Sequence, residues 1–198
     1  KHLALLAGDA AASGFRRLYV DADVELDTAG ARAVVMALDE PGVLVAAPTR
    51  VMVLDGSSPF VRSYYRVWDR LPAVREGLYG RGVLAVNAEG FARIADRPRV
   101  MGDDLYLHSR FAADERRGVG EARSLVRGPK TFGDLIRRRT RAAQGNAELG
   151  ARTSGQTVTS ASTARELARI ARHEPQRWPD LAVYLAVTVV GRARARRQ

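Results

Sequence analysis

An α/β fold, with a mostly parallel sheet flanked by helices, is predicted by three features of the sequence. Leu18-Tyr19-Val20 is a short β-prone run that stops at an acid, residues 29–38 read as a helix, and residues 43–47 form an apolar run suited to a buried strand. A strand, a helix and a second strand in that order imply a crossover connection and parallel pairing. The chain has 198 residues, of which 46% are hydrophobic and 27% charged, enough apolar material to bury a sizeable core.

Each element has its own signal. Residues 1–13 are rich in Ala and Leu and read as a helix that Gly14 ends. Thr28 suits the N-cap of helix 29–38, and Pro41-Gly42 follows that helix. Residues 51–54 read as a further strand, closed by Asp55-Gly56-Ser57-Ser58-Pro59. Residues 60–71 form an aromatic helix whose Tyr64, Tyr65 and Trp68 either pack in a core or wall an acceptor site. Glycines 77, 80 and 82 mark a flexible loop before strand 83–86, and Asn87 suits the cap of a helix that runs to Ile94. Gly102-Asp103-Asp104 opens a helical segment over 105–111, residues 121–126 read as a strand, and residues 131–143 as a basic helix.

Residues 148–163 are rich in Gly, Ser and Thr and read as a linker. Two short helices are expected beyond it, over 164–172 and 181–190. The expected organisation is a catalytic domain over 1–147, the linker over 148–163, and a helical, basic C-terminal appendage over 164–198.

Composition narrows the partners. The chain has no cysteine, which excludes disulfides and thiolate zinc sites and fits a reducing compartment. Thirty-two basic residues against 22 acidic ones leave a net charge of +10, which suits nucleotide phosphates, nucleic acid or an anionic membrane surface. An arginine-rich composition is an equally good account of that excess. No stretch reaches the ~18 apolar residues of a membrane span. Residues 181–190, with the arginine tail after them, suit either docking on the domain or lying on an anionic surface.

Three features carry chemistry. Tyr19-Val20-Asp21-Ala22-Asp23 sends two carboxylates off the C-terminal end of a strand, where open α/β sheets bind their ligands. Side chains two apart on an extended strand share a face, so Asp21 and Asp23 could hold Mg²⁺ or Mn²⁺, with substrate phosphates completing the shell. The alternative is an ordinary turn or cap. Asp103 and Asp104 stand at a helix start, either as dipole-stabilised caps or with one of them as a general base kept ionised by the helix terminus. Arg137-Arg138-Arg139-Thr140-Arg141 places Arg138 and Arg141 on one helical face, either to clamp a diphosphate or as a solvated basic surface.

The order of these features resembles family 2 of the GT-A glycosyltransferases, and is most similar to actinobacterial-type members. The likeness covers residues 1–146. Lys1-His2-Leu3-Ala4-Leu5-Leu6-Ala7-Gly8 is similar to the family's lysine-led helix, although Leu6 or Ala7 stands where asparagine is usual. Asp21 and Asp23 match its D-x-D. Gly80-Arg81-Gly82-Val83-Leu84-Ala85-Val86 resembles the acceptor-side loop and strand, and Asp103-Asp104 matches the acidic pair whose second member is the base. Residues 138–142 fall on the family's Q-x-x-R-W site, where only Arg141 agrees; Arg138 replaces Gln and Ala142 replaces Trp.

The resemblance implies a GT-A, Rossmann-like sheet and an inverting, metal-dependent transfer of a sugar from a nucleotide diphosphate sugar to an acceptor hydroxyl. It implies Asp21 and Asp23 as Mg²⁺ or Mn²⁺ ligands, Asp104 as the base, and Arg141 with Arg138 on the diphosphate. Gly82 and Asp103 would lie on the acceptor side, and Lys1 on the donor side. The acceptor would be a saccharide or a lipid-linked molecule, and the location the cytoplasm, peripheral at the inner face of the cell membrane.

The family's nucleotide-binding strands normally precede the lysine helix. The chain is therefore expected to be incomplete at its N-terminus, to expose a sheet edge at the strand ending in Asp21, and to be inactive alone. Asp21 and Asp23 are expected at the end of a central strand, with Asp104 and Arg141 approaching the same cleft. The rival readings are a metal-dependent nucleotidyltransferase and a basic nucleic-acid-binding module, although no nucleic-acid-binding motif is recognisable.

Overall fold

The computed structural model describes residues 2–78, 80–96, 106–107, 109–152 and 160–197. They divide into two compact units, one holding most of the sheet and the other mostly helical.

The sheet unit begins with α1 (His2–Ala11) and then β1 (Arg17–Val20), β2 (Val24–Glu25) and α2 (Thr28–Met36). Next come β3 (Val45–Val53), α3 (Pro59–Trp68) and α4 (Pro72–Glu76), the two helices lying in the helical unit. The chain returns through β4 (Val83–Val86), α5 (Ala88–Ile94) and β5 (Arg116–Arg127). The five strands form one sheet in the order β1-β4-β3-β5-β2.

The sheet is mixed rather than mostly parallel. β4 runs antiparallel to both neighbours, pairing Arg17 with Val86 and Val20 with Val83 on one side and Val45 with Val86 on the other. β2 is antiparallel to β5, with Val24 opposite Val126. β3 and β5 run parallel. Leu44 N–H and Val45 N–H donate to Glu115 O, and further along both strands Thr49 Oγ1 donates to Val119 O. β1 and β3 point the same way, but β4 inserts between them, and α2 follows β2, which runs opposite to β3. Residues 43–47 and 51–54, expected as two strands, merge into the single strand β3, which runs from Val45 to Val53.

The alternation of side chains along these strands builds two cores. Leu18, Ala46, Ala85 and Val119 face α2 and the 3-10 turn after it, where Val34 and Leu38 are buried against them. Tyr19, Val45, Ala47 and Val86 face the other way and pack with Phe91 and Ile94 of α5. Local caps set the helix starts. Asp27, not Thr28, caps α2 by accepting from Gly30 N–H at 2.6 Å, and Asn87 caps α5 by accepting from Gly90 N–H at 2.8 Å.

The helical unit is completed by α6 (Phe132–Arg152), α7 (Ser160–His173) and α8 (Trp178–Ala195). Helix therefore covers 148–152 and 160–163 of the expected linker; residues 153–159 lie outside the described residues. α8 is no appendage. Leu181, Tyr184 and Val187 are buried with Val61, Tyr64 and Tyr65 of α3 and Leu135 and Ile136 of α6. Segments expected in two domains thus share one core, because the apolar side of α8 has nothing else to bury it. Tyr64 stacks on Tyr184 at 5.3 Å, and Tyr65 meets Trp68 edge-on. The two tyrosines are core residues and not an acceptor wall.

A polar knot fixes α8 on α3. Asp180 is buried and accepts from Arg66 Nε at 2.9 Å and Arg66 Nη2 at 2.7 Å, from Arg177 Nη1 at 3.2 Å, and from the Ser63 hydroxyl. The Arg66 guanidinium, against the opposing effect of burial, holds the Asp180 carboxyl well below the usual carboxylate range. A depressed folded-state pKa contributes stability that is complete above the unfolded value of about 3.9 and fades as pH falls below it. Asp180→Asn is therefore expected to lower stability at neutral pH by about 1–3 kcal/mol, because half-exposed Arg66 can regain water. Denaturant titrations at pH 7 and pH 3 should show a gap between variant and wild type that narrows in acid; an unchanged gap would assign the loss to packing.

Candidate functional site

The acidic motif is a turn rather than a continuation of the strand. Val24 N–H donates to Asp21 O at 3.1 Å, closing a four-residue turn with Asp21 first and Asp23 third. Asp21 and Asp23 therefore do not share one face of an extended strand, as expected, but sit two apart in a turn. Asp21 is partly buried and Asp23 is exposed.

This turn joins opposite edges of the sheet, since β1 and β2 are its outermost strands. Five strands laid flat would hold those edges about 19 Å apart. Three linking residues span at most about 14 Å, and a closed turn spans much less. The sheet must therefore curl until β2 approaches the start of β4. Gly82 is where they meet. Its carbonyl accepts from Asp21 N–H at 2.7 Å, and a Cβ on it would stand 2.3 Å from Val24 Cγ2. Its φ of +66° also lies in the left-handed region that favours glycine.

The loop before β4 is held from below. Arg81 is buried and donates from Nη1 to Pro48 O at 2.6 Å, while Ser124 Oγ donates to Arg81 O at 2.8 Å. Burial, and then the Arg50 guanidinium, push the Arg81 pKa down. β1 is anchored on its other side by α1. Asp9 accepts from Arg17 Nη1 at 3.0 Å and from the Tyr19 hydroxyl at 2.7 Å, and the Arg17 guanidinium lies 4.1 Å from the centre of the Phe91 ring.

The sequence-derived site residues fall into three groups. Asp21, Asp23 and Gly82 come together, with Gly82 backing the acidic turn. Their strand, β1, stands at a sheet edge and not at its centre. Arg138 and Arg141 belong to α6 in the helical unit; Arg138 Nη1 donates to Arg127 O at 3.2 Å, and Arg141 is exposed. Lys1, Asp103 and Asp104 lie outside the described residues. Sequence reading missed Val24 and Arg81. The two positive-φ glycines on either side of Arg81, Gly80 and Gly82, were the available signal for a structured loop.

Two carboxylates on an anchored turn at the C-terminal end of a strand are hard oxygen donors, as Mg²⁺ and Mn²⁺ prefer. Among the described residues no group of three or more His, Cys, Asp or Glu gathers, so an ion here would draw the rest of its shell from phosphates and water. No protein-family model matches the sequence, and no curated protein matches it significantly.

Gly82→Ala is expected to cost about 2–5 kcal/mol, from left-handed backbone and from overpacking against Val24. Adding Val24→Ala should recover the packing part and leave the backbone part. Chemical denaturation of the two variants measures this. Equal loss in both would mean that Val24 does not press on Gly82.

Proposed function

We propose that the protein is a metal-dependent glycosyltransferase that moves a sugar from a nucleotide diphosphate sugar to an acceptor hydroxyl, with inversion. The observation that carries this reading is the acidic turn itself: Asp21 and Asp23 leave the C-terminal end of β1 on a turn tied to Gly82. Support also comes from the resemblance to family 2 in the order of the motifs, and from an α/β sheet with helices on both faces.

Asp21 and Asp23 would hold Mg²⁺ or Mn²⁺, which supplies positive charge to the diphosphate. Asp104 would take the proton of the acceptor hydroxyl as its oxygen attacks the anomeric carbon. The bond from that carbon to the phosphate oxygen breaks, and the nucleoside diphosphate leaves with the electron pair. Arg141 and Arg138 would neutralise the leaving group through charge-assisted hydrogen bonds. Gly82 contributes by fixing the turn, while Asp103 would stand on the acceptor side and Lys1 on the donor side. A saccharide or lipid-linked acceptor suits this reading.

Calorimetric titration with nucleoside diphosphates should give Mn²⁺-dependent heat that Asp21→Asn with Asp23→Asn abolishes. Binding that ignores both the metal and the acids would sink the reading. In a form of the enzyme that turns over a nucleotide sugar, Asp104→Asn should keep donor binding and lose roughly 10²–10⁴-fold in rate. Release of pyrophosphate in place of nucleoside diphosphate would favour nucleotidyl transfer.

A further inference from the structure

The helical unit carries a second surface whose chemistry is unlike that of the acidic turn. One side of α8, with Asp180, Leu181, Tyr184, Val187 and Gly191, is buried. Its opposite side exposes Trp178, Ala182, Leu185 and Val189, spaced four, three and four residues apart. Val189 is 64% exposed and Leu185 is 50% exposed. On the same side the last turn continues the stripe with Arg192 and Arg196. No acid follows Asp180 in the sequence, while Arg192, Arg194, Arg196 and Arg197 are all exposed.

The packing of α8 brings an aromatic pair to the same end of this unit. Glu174, just before α8, pairs with Arg70, just past α3, and Tyr184 stacks on Tyr64 inside α3, so α8 runs back along α3 toward its start. Gly191 lies against Arg139, two turns into α6. The first turns of α3 and α6 hold Phe60 and Phe132, whose rings meet edge-on at 5.8 Å while remaining 58% and 43% exposed. Lys130 and Arg62 are exposed near them, and Asp134, the acid of that turn, is paired with Arg137. The acid in the loop before α3 is Asp55.

We infer that this end of the helical unit docks peripherally on an anionic phospholipid bilayer. The aliphatic stripe and the Phe60–Phe132 pair would enter the headgroup boundary, and the arginines would meet lipid phosphates. No helix of the described residues is long and apolar enough to cross a membrane, which limits α8 to lying on the surface. A second copy of the chain is a poor occupant, because it presents the same positive charge. Nucleic acid would satisfy the arginines and leave the aliphatic stripe uncovered.

Co-sedimentation with sucrose-loaded vesicles tests this, using phosphatidylcholine alone and phosphatidylcholine mixed equally with phosphatidylglycerol. The protein should pellet with the anionic vesicles, less so at higher salt, and stay in solution with the neutral ones. Combined Arg192→Gln, Arg194→Gln, Arg196→Gln and Arg197→Gln should lower partitioning by roughly fivefold per arginine. Phe60→Ser with Phe132→Ser should weaken binding, with only a small drop in melting temperature from the lost edge-on contact, because both rings are about half exposed. Equal recovery from the two vesicle types, a four-arginine variant that pellets like wild type, or single-stranded RNA that binds while anionic vesicles do not, would overturn the inference. Removing α8 is not a usable control, because Leu181, Tyr184 and Val187 belong to the core.

Discussion

The sheet unit depends on one short tether. Three residues, Asp21 to Asp23, connect strands that stand at opposite edges of a five-stranded sheet, so the sheet can exist only in a curled form. Curling brings β2 onto the start of β4, and that approach is tolerated because position 82 has no Cβ to meet Val24. The hydrogen bond from Asp21 N–H to Gly82 O then locks the turn to the loop. The buried Arg81, held by Pro48 O, and Ser124, bonded to Arg81 O, keep that loop from shifting. The acids are thus carried by the turn that brings the two edges of the sheet together.

The helical unit is organised differently. Its core is aromatic and aliphatic, but its specificity comes from a single buried carboxylate. Asp180 is matched by the Arg66 fork, by Ser63 and by Arg177, so α8 has one seat on α3 in which that charge is satisfied. Sliding α8 by one turn would strand Asp180 in the apolar core. Burial of that kind penalises wrong arrangements more than it stabilises the right one. It also fixes which side of α8 faces water, and with it the exposed stripe of Trp178, Leu185 and Val189.

Local signals in the sequence carried through where they were strong. Strand 83–86, the Asn87 cap and the helix to Ile94 stand where residue preferences put them. The two-residue strand β2 was invisible, because Val24-Glu25 has no periodicity and exists only through pairing with the end of β5. The insertion of β4 between β1 and β3 was equally hidden, since both orders leave the same alternating pattern on every strand. Asp27 displaced Thr28 as the α2 cap because the two neighbours offer similar oxygens, and the backbone entry decides between them. At the candidate site, the acids were legible as a motif, but their support was not. Nothing in Gly80-Arg81-Gly82 announces Val24 as its partner, because that contact depends on the curl of the whole sheet.

This closure separates two roles that point mutations often confuse. Asp23 is exposed and Asp21 partly buried, whereas the turn that carries them is held by backbone groups and by the absent Cβ of Gly82. Amide replacements at the two acids remove charge without touching either of those backbone hydrogen bonds. A side chain at Gly82 leaves both charges in place and displaces the frame that carries them. The backbone of this turn is held by interactions that a bound ion would not contribute. It can be organised before any ligand arrives, and for that reason the turn is the natural place for the chemistry proposed for this protein.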